Sequence, residues 1–154
     1  MDVILSDIHG NLAALEATLK DIEHFSVRRV ICLGDIIGYG PRPLECVDLS
    51  MGFSVLLMGN HEDAVLFEPV GFNARAERAI QFTLQQMNDR SVPEELRRAR
   101  WNFLGGLERK HEEGDILYVH GTPREPTREY LSVSYTHLRA HETSLHLVCR
   151  LLLE

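Results

Sequence analysis

Three short apolar runs, Val3 to Leu5, Val30 to Leu33 and Val55 to Met58, each end in polar or glycine residues, the pattern of strands buried on both faces. Ile116 to Val119 makes a fourth. Between the first two, Leu12, Leu15, Leu19, Ile22 and Phe25 recur at steps of three and four, which predicts an amphipathic helix with Asn11 as its N-cap. Pro43 to Met51 fits a shorter helix with proline near its first position. Ala76, Ile80, Leu84 and Met87 mark the apolar stripe of another. Ser91-Val92-Pro93-Glu94 has the form of a capping box, and Leu96, Ala99, Phe103 and Leu107 continue the stripe behind it. Strands alternating with helices imply right-handed crossovers, hence an α/β fold with a mainly parallel sheet and flanking helices. Before about residue 131 there is no internal repeat, low-complexity linker or domain boundary.

Composition narrows the class. The chain has 154 residues, 44% hydrophobic and 25% charged, as in one globular domain. Sixteen Lys and Arg against 23 Asp and Glu leave a net charge of −7, so the basic footprint of a general nucleic-acid binder is missing. Cys32, Cys46 and Cys149 are odd in number and contain no C-x-x-C pair, which points to buried small hydrophobes in a reducing compartment. There is no basic segment before the first apolar residues and no stretch long enough to span a bilayer, so the expected location is cytoplasmic and away from membranes.

In a parallel sheet the loops at the carboxyl ends of the strands converge on one edge, and that is where ligands bind. All four strand ends here carry metal-ligand residue types. Leu5 is followed by Ser6-Asp7-Ile8-His9-Gly10-Asn11, Leu33 by Gly34-Asp35, Met58 by Gly59-Asn60-His61-Glu62, and Val119 by His120-Gly121. Carboxylate, imidazole and amide oxygen donors suit Mn, Fe, Zn or Ni better than thiolate-seeking ions. Asp7 and His9 leave one loop towards one ion, Asp35 has two oxygens with which to bridge a pair, and Asn60 with His120 would hold the second ion.

These blocks resemble the calcineurin-like metallophosphoesterase family, in particular its small prokaryotic phosphodiesterase-like members. The matching segments are Asp7 to Asn11, Gly34 to Pro41, Gly59 to Glu62 and Val119 to Gly121, in the expected order. The resemblance implies a four-layer α/β/β/α sandwich, partial in this chain, and a binuclear centre of two divalent ions on Asp7, His9, Asp35, Asn60 and His120. It also implies that His61 is a non-ligand histidine that contacts the phosphate or protonates the leaving oxygen. The expected reaction is hydrolysis of a small-molecule phosphate mono- or diester by in-line attack of a hydroxide. The family pattern ends in a further strand and a Gly-His-x-His block that this sequence does not contain, which implies impaired activity. Residues 132–154 look instead like a translated adapter sequence. The expected organisation is therefore an N-terminal portion of the phosphoesterase domain over 1–131 and a non-native tail over 132–154. The rival class is a non-catalytic interaction scaffold of the same fold, disfavoured because no ligand of the early motifs is missing.

Other residues have simpler explanations. Capping accounts for Asn11. His24 and His111 read as solvated surface residues, and Arg97, Arg98 and Arg100 as a solvated helix face. His137 and His141 share a helix face without the family's His-x-His geometry. Arg124, and more weakly Arg42 and Tyr39, are candidate substrate contacts.

Overall fold

The computed structural model describes residues 1–129, together with the backbone of three short strands beyond them. Strand β1 (Asp2–Leu5) leads into helix α1 (Leu12–Ile22), β2 (Arg29–Cys32), α2 (Pro43–Ser50) and β3 (Val55–Leu56). Helices α3 (Asn60–Leu66), α4 (Ala74–Met87) and α5 (Glu94–Gly105) follow, then the strands β4 (Lys110–Glu113) and β5 (Ile116–Val119). The short strands are β6 (Leu131–Ser132), β7 (His146–Val148) and β8 (Leu151–Leu152).

The first sheet is parallel, in the order β1-β2-β3, with Leu5 opposite Cys32 and Cys32 opposite Leu56, so its three carboxyl ends lie side by side. One face packs on the helices through Leu15, Cys32, Ile36, Val47, Ile80 and Leu104. The other face presents Ile31, Leu33 and Leu57 to Tyr118 of β5. β5 belongs to a second sheet, β4-β5-β7, antiparallel to β4 and parallel to β7. Helices, first sheet and second sheet are thus three successive layers of the expected sandwich.

Several local expectations hold for the reasons given. Asn11 caps α1, its side chain accepting the Ala14 N–H at 3.2 Å, and Pro43 opens α2. Cys32 and Cys46 are buried, which pushes their thiols up to about 12 and about 11, out of reach as nucleophiles. No helix among the described residues is long and apolar enough to cross a membrane.

Others are corrected. Ser91 is not a cap: α5 begins at Glu94 behind Pro93, and the Ser91 N–H is bound instead to Asp89 Oδ1 at 2.8 Å. Proline disfavours helical backbone at the residue before it, which moves the helix start past Val92. Arg100 is not on a solvated face. It is buried and grips Asp48 through Nε and Nη2 at 2.8 and 2.6 Å. Strand β1 is not buried on both faces, since Ile4 is 45% exposed. β4, reading Lys-His-Glu-Glu, carries no apolar signal. It is a strand only because β5 supplies its hydrogen bonds.

Candidate metal centre

The loop after β1 is laid against the loop after β2 by three backbone bonds, from the N–H groups of Asp7, His9 and Gly10 to the carbonyls of Gly34, Asp35 and Ile36 at 2.7 to 3.1 Å. In these loops Asp7, His9, Asp35 and Tyr39 all have positive φ, between 50° and 59°. Non-glycine residues rarely adopt this region, at a cost of about 1 to 3 kcal/mol each, and persist there only when their surroundings over-determine them. Three of the four are predicted ligands.

His9 donates from Nδ1 to the Ile37 carbonyl at 3.1 Å, so its Nε2 keeps a lone pair. That atom lies 3.5 Å from Asp7 Oδ1 and 3.6 Å from Asp35 Oδ2. His120, carried in from the second sheet, repeats the arrangement. Its Nδ1 donates to the Leu33 carbonyl at 3.0 Å, leaving Nε2 to face Asn60 Oδ1 at 3.1 Å and Asp35 Oδ2 at 3.5 Å. Each imidazole lone pair thus meets oxygens that are themselves acceptors. Such convergence is stable only with a proton or a cation among the donor atoms, and both clusters share Asp35 Oδ2. The residues present therefore fit divalent ions. For His9, burial works against protonation, but the Asp7 and Asp35 carboxylates outweigh it and raise the imidazole above its ordinary 6.5.

His61 enters from the start of α3. Its N–H donates to Asp35 Oδ1 at 2.9 Å, and its ring lies edge-on to His9 and Phe72 and beside Tyr39, with centroids 4.7 to 5.0 Å apart. His9, Asp35 and His61 present ligand atoms within 4.8 Å of one another. His61 and Asn60 also line a cavity of about 190 Å³, walled by Tyr39, Phe72, Asn73 and Arg128 among others. The packing is closed at two glycines: a Cβ on Gly38 would lie 2.1 Å from His61 Nδ1, and one on Gly59 2.2 Å from Asp35 Oδ1.

The structure therefore brings together all six residues expected from the sequence: Asp7, His9, Asp35, Asn60, His61 and His120. Arg124 is exposed and paired with Glu129. Arg42 is paired with Glu45 on the surface. His137 and His141 lie outside the described residues.

Three residues that sequence reasoning missed support the site. Glu62 is fully buried and accepts four backbone N–H groups, those of Asp35, Ile36, Ile37 and Gly59, at 2.8 to 3.1 Å. Burial, with the neighbouring Asp35 carboxylate, holds its carboxyl above the usual range despite those donors. The signal was available, because Glu62 stands three residues after the helix-capping Gly59, the spacing at which a glutamate reaches back to the cap. Asp63 and Arg128 form an ion pair at the cavity wall. Nothing in the sequence marked that pair, whose members are 65 positions apart.

Residues 3–147 match the family model of the calcineurin-like phosphoesterases, and the chain belongs to that family. It is 34% identical over 143 residues to an uncharacterized protein of Methanocaldococcus jannaschii, a match covering 88% of this chain and 55% of the relative. It is 37% identical to a metallophosphoesterase from Sphaerobacter thermophilus of known crystal structure, with a TM-score of 0.66 over 84% of this chain and 50% of the other. A cold-active protein tyrosine phosphatase of a psychrophilic Shewanella shares the fold, at 22% identity and a TM-score of 0.50 over 93% of this chain and 45% of that one. The chain spans about half the length of the relatives it matches.

Proposed function

We propose that the chain carries the metal centre of a phosphoesterase that hydrolyses a small-molecule phosphate mono- or diester. The observation that supports this most directly is the sharing of Asp35 Oδ2 between two imidazole lone pairs, 3.6 and 3.5 Å away. Asp7 and His9 would hold one divalent ion, Asn60 and His120 a second, and Asp35 both. The donor set suits Mn, Fe, Zn or Ni. When bound, such ions supply the Lewis acidity that activates water and offsets phosphate charge.

The protein's own groups do the rest. The carbonyls of Ile37 and Leu33 fix each histidine in the tautomer that keeps Nε2 available. Glu62 ties the Asp35 loop to the start of α3, which sets Asn60 and His61 relative to Asp35. His61 lies on the cavity wall, where a bound substrate would meet its ring, and this supports the role of proton donor to the leaving oxygen. Tyr39 and Phe72 hold its ring from two sides. The acidic net charge and reducing-compartment cysteine usage support a cytoplasmic enzyme without general nucleic-acid affinity.

The test is hydrolysis of p-nitrophenyl phosphate and its bis-ester by the Mn-loaded chain, beside a version continued through a Gly-His-x-His block. Turnover by the longer version that is lost in Asp35→Asn supports the reading. No turnover by either version overturns it.

A further inference from the structure

Among the described residues, the cavity beside Asn60 and His61 is lined by one cationic side chain, Arg128, and the reading of that residue rests on the phosphoesterase function proposed above. Asp63 is buried, with its side chain 1% exposed, and receives two guanidinium groups. Arg109 Nη2 donates to Oδ1 at 2.6 Å, and Arg128 Nε to Oδ2 at 2.5 Å. One arginine is enough to neutralise one carboxylate. Two leave the cluster with a surplus positive charge, in a chain whose net charge is −7.

The two arginines are not equivalent. Arg109 is anchored away from the cavity, near Thr127 Oγ1 at 3.4 Å and over the Phe67 ring at 5.9 Å. Arg128 lines the cavity, and with Nε and Nη2 turned to Asp63 its Nη1 donors remain for a ligand. The carboxylate thus orients the Arg128 guanidinium, and the second arginine leaves the three-group cluster with a net positive charge. The cavity, about 190 Å³, exceeds the roughly 150 Å³ that admits a benzene-sized guest, so it has room for more than the phosphoryl group that would sit at the metal ligands.

We infer that Arg128 is a specificity-determining residue which binds a second anionic group, a carboxylate or phosphate on the leaving-group side of the substrate, with Asp63 as its positioning residue. The preferred substrate class is then a phosphate ester whose leaving group is itself anionic. A neutral leaving group would fill the same space without using the arginine.

The experiment is calorimetric binding of three non-hydrolysable probes to the Mn-loaded chain: propylphosphonate, 3-phosphonopropionate and propane-1,3-diphosphonate. One of the two probes with a distal anion should bind roughly 10- to 100-fold more tightly than propylphosphonate, the scale of a charge-assisted bidentate contact, and which one does so identifies the anion. Arg128→Met should abolish that advantage while leaving propylphosphonate within about twofold, and Arg128→Lys should restore part of it. Asp63→Asn, if folded by circular dichroism, should reduce the advantage without altering metal uptake. If it is unfolded, the Arg128 pair decides alone. Equal affinities in the unmodified chain, or a loss in Arg128→Met that is the same for all three probes, would overturn the inference. Metal uptake is measured first. Its absence would overturn the proposed function and this inference with it, whereas intact uptake without the advantage overturns this inference alone.

Discussion

Glu62 Oε2 accepts the backbone N–H of Asp35 at 2.8 Å, so the residue shared by both donor clusters is held in place by a carboxylate that belongs to neither. The same side chain also receives Gly59, Ile36 and Ile37. It is the clamp on a loop where Asp35 has a φ of 56°. Replacing it by Gln would turn an amide NH₂ towards two N–H donors, leaving them unsatisfied. Glu62→Gln should therefore cost about 2 to 4 kcal/mol in urea unfolding and weaken metal binding. A variant as stable as the parent, with unchanged metal affinity, would remove the clamp from the account.

Two groups of the metal-free site are held above their ordinary values: Glu62, from 4.5, and His9, from 6.5. These two groups therefore bind more protons in the folded chain than in the unfolded one across that range, and their contribution to stability falls as pH rises. The His9 contribution is fully present below 6.5 and is lost as pH passes its higher folded value. The displaced carboxylates Asp2, Asp89, Glu112 and Glu113 are all lowered and titrate below this window. Melting temperatures of the metal-free chain should decline from pH 5.5 to 8, and Mn should flatten the decline by replacing the protons. A metal-free chain that melted higher at pH 8 would contradict this electrostatic picture.

His61 and Gly38 make a paired test of the proton donor. His61→Ala should retain metal and, in the version continued through the Gly-His-x-His block, should lower any hydrolysis rate by roughly 10² to 10⁴, the scale of general-acid catalysis. Gly38→Ala inserts a methyl 2.1 Å from His61 Nδ1 at a φ of 92°, so it should displace the same ring and lower the rate with the His61 side chain present. Loss of metal in His61→Ala would make that residue a ligand.

What could be read from the sequence divides along physical lines. The strand ends were legible because continuous apolar runs stop abruptly at Asp7, Asp35, Asn60 and His120, and the parallel register of β1 to β3 then aligns three of those ends. That His120 arrives from a different sheet was not legible, since a run such as Ile116 to Val119 does not say which sheet it joins. Arg100 was misread because local charge says nothing about Asp48, 52 positions away. The Asp63–Arg128 pair was not legible because the fold of the loop after His120 decides which arginine faces Asp63, and that fold rests on backbone bonds such as Gly121 N–H to Pro126 O.

The central claim is that Asp35 joins two metal sites, and calorimetric titration of Mn into the metal-free chain tests it most directly. The account predicts uptake of two equivalents, falling to one or none in Asp35→Asn, where a shared negative charge between two cations is removed. No uptake by the parent chain, or two equivalents retained by Asp35→Asn, would contradict it.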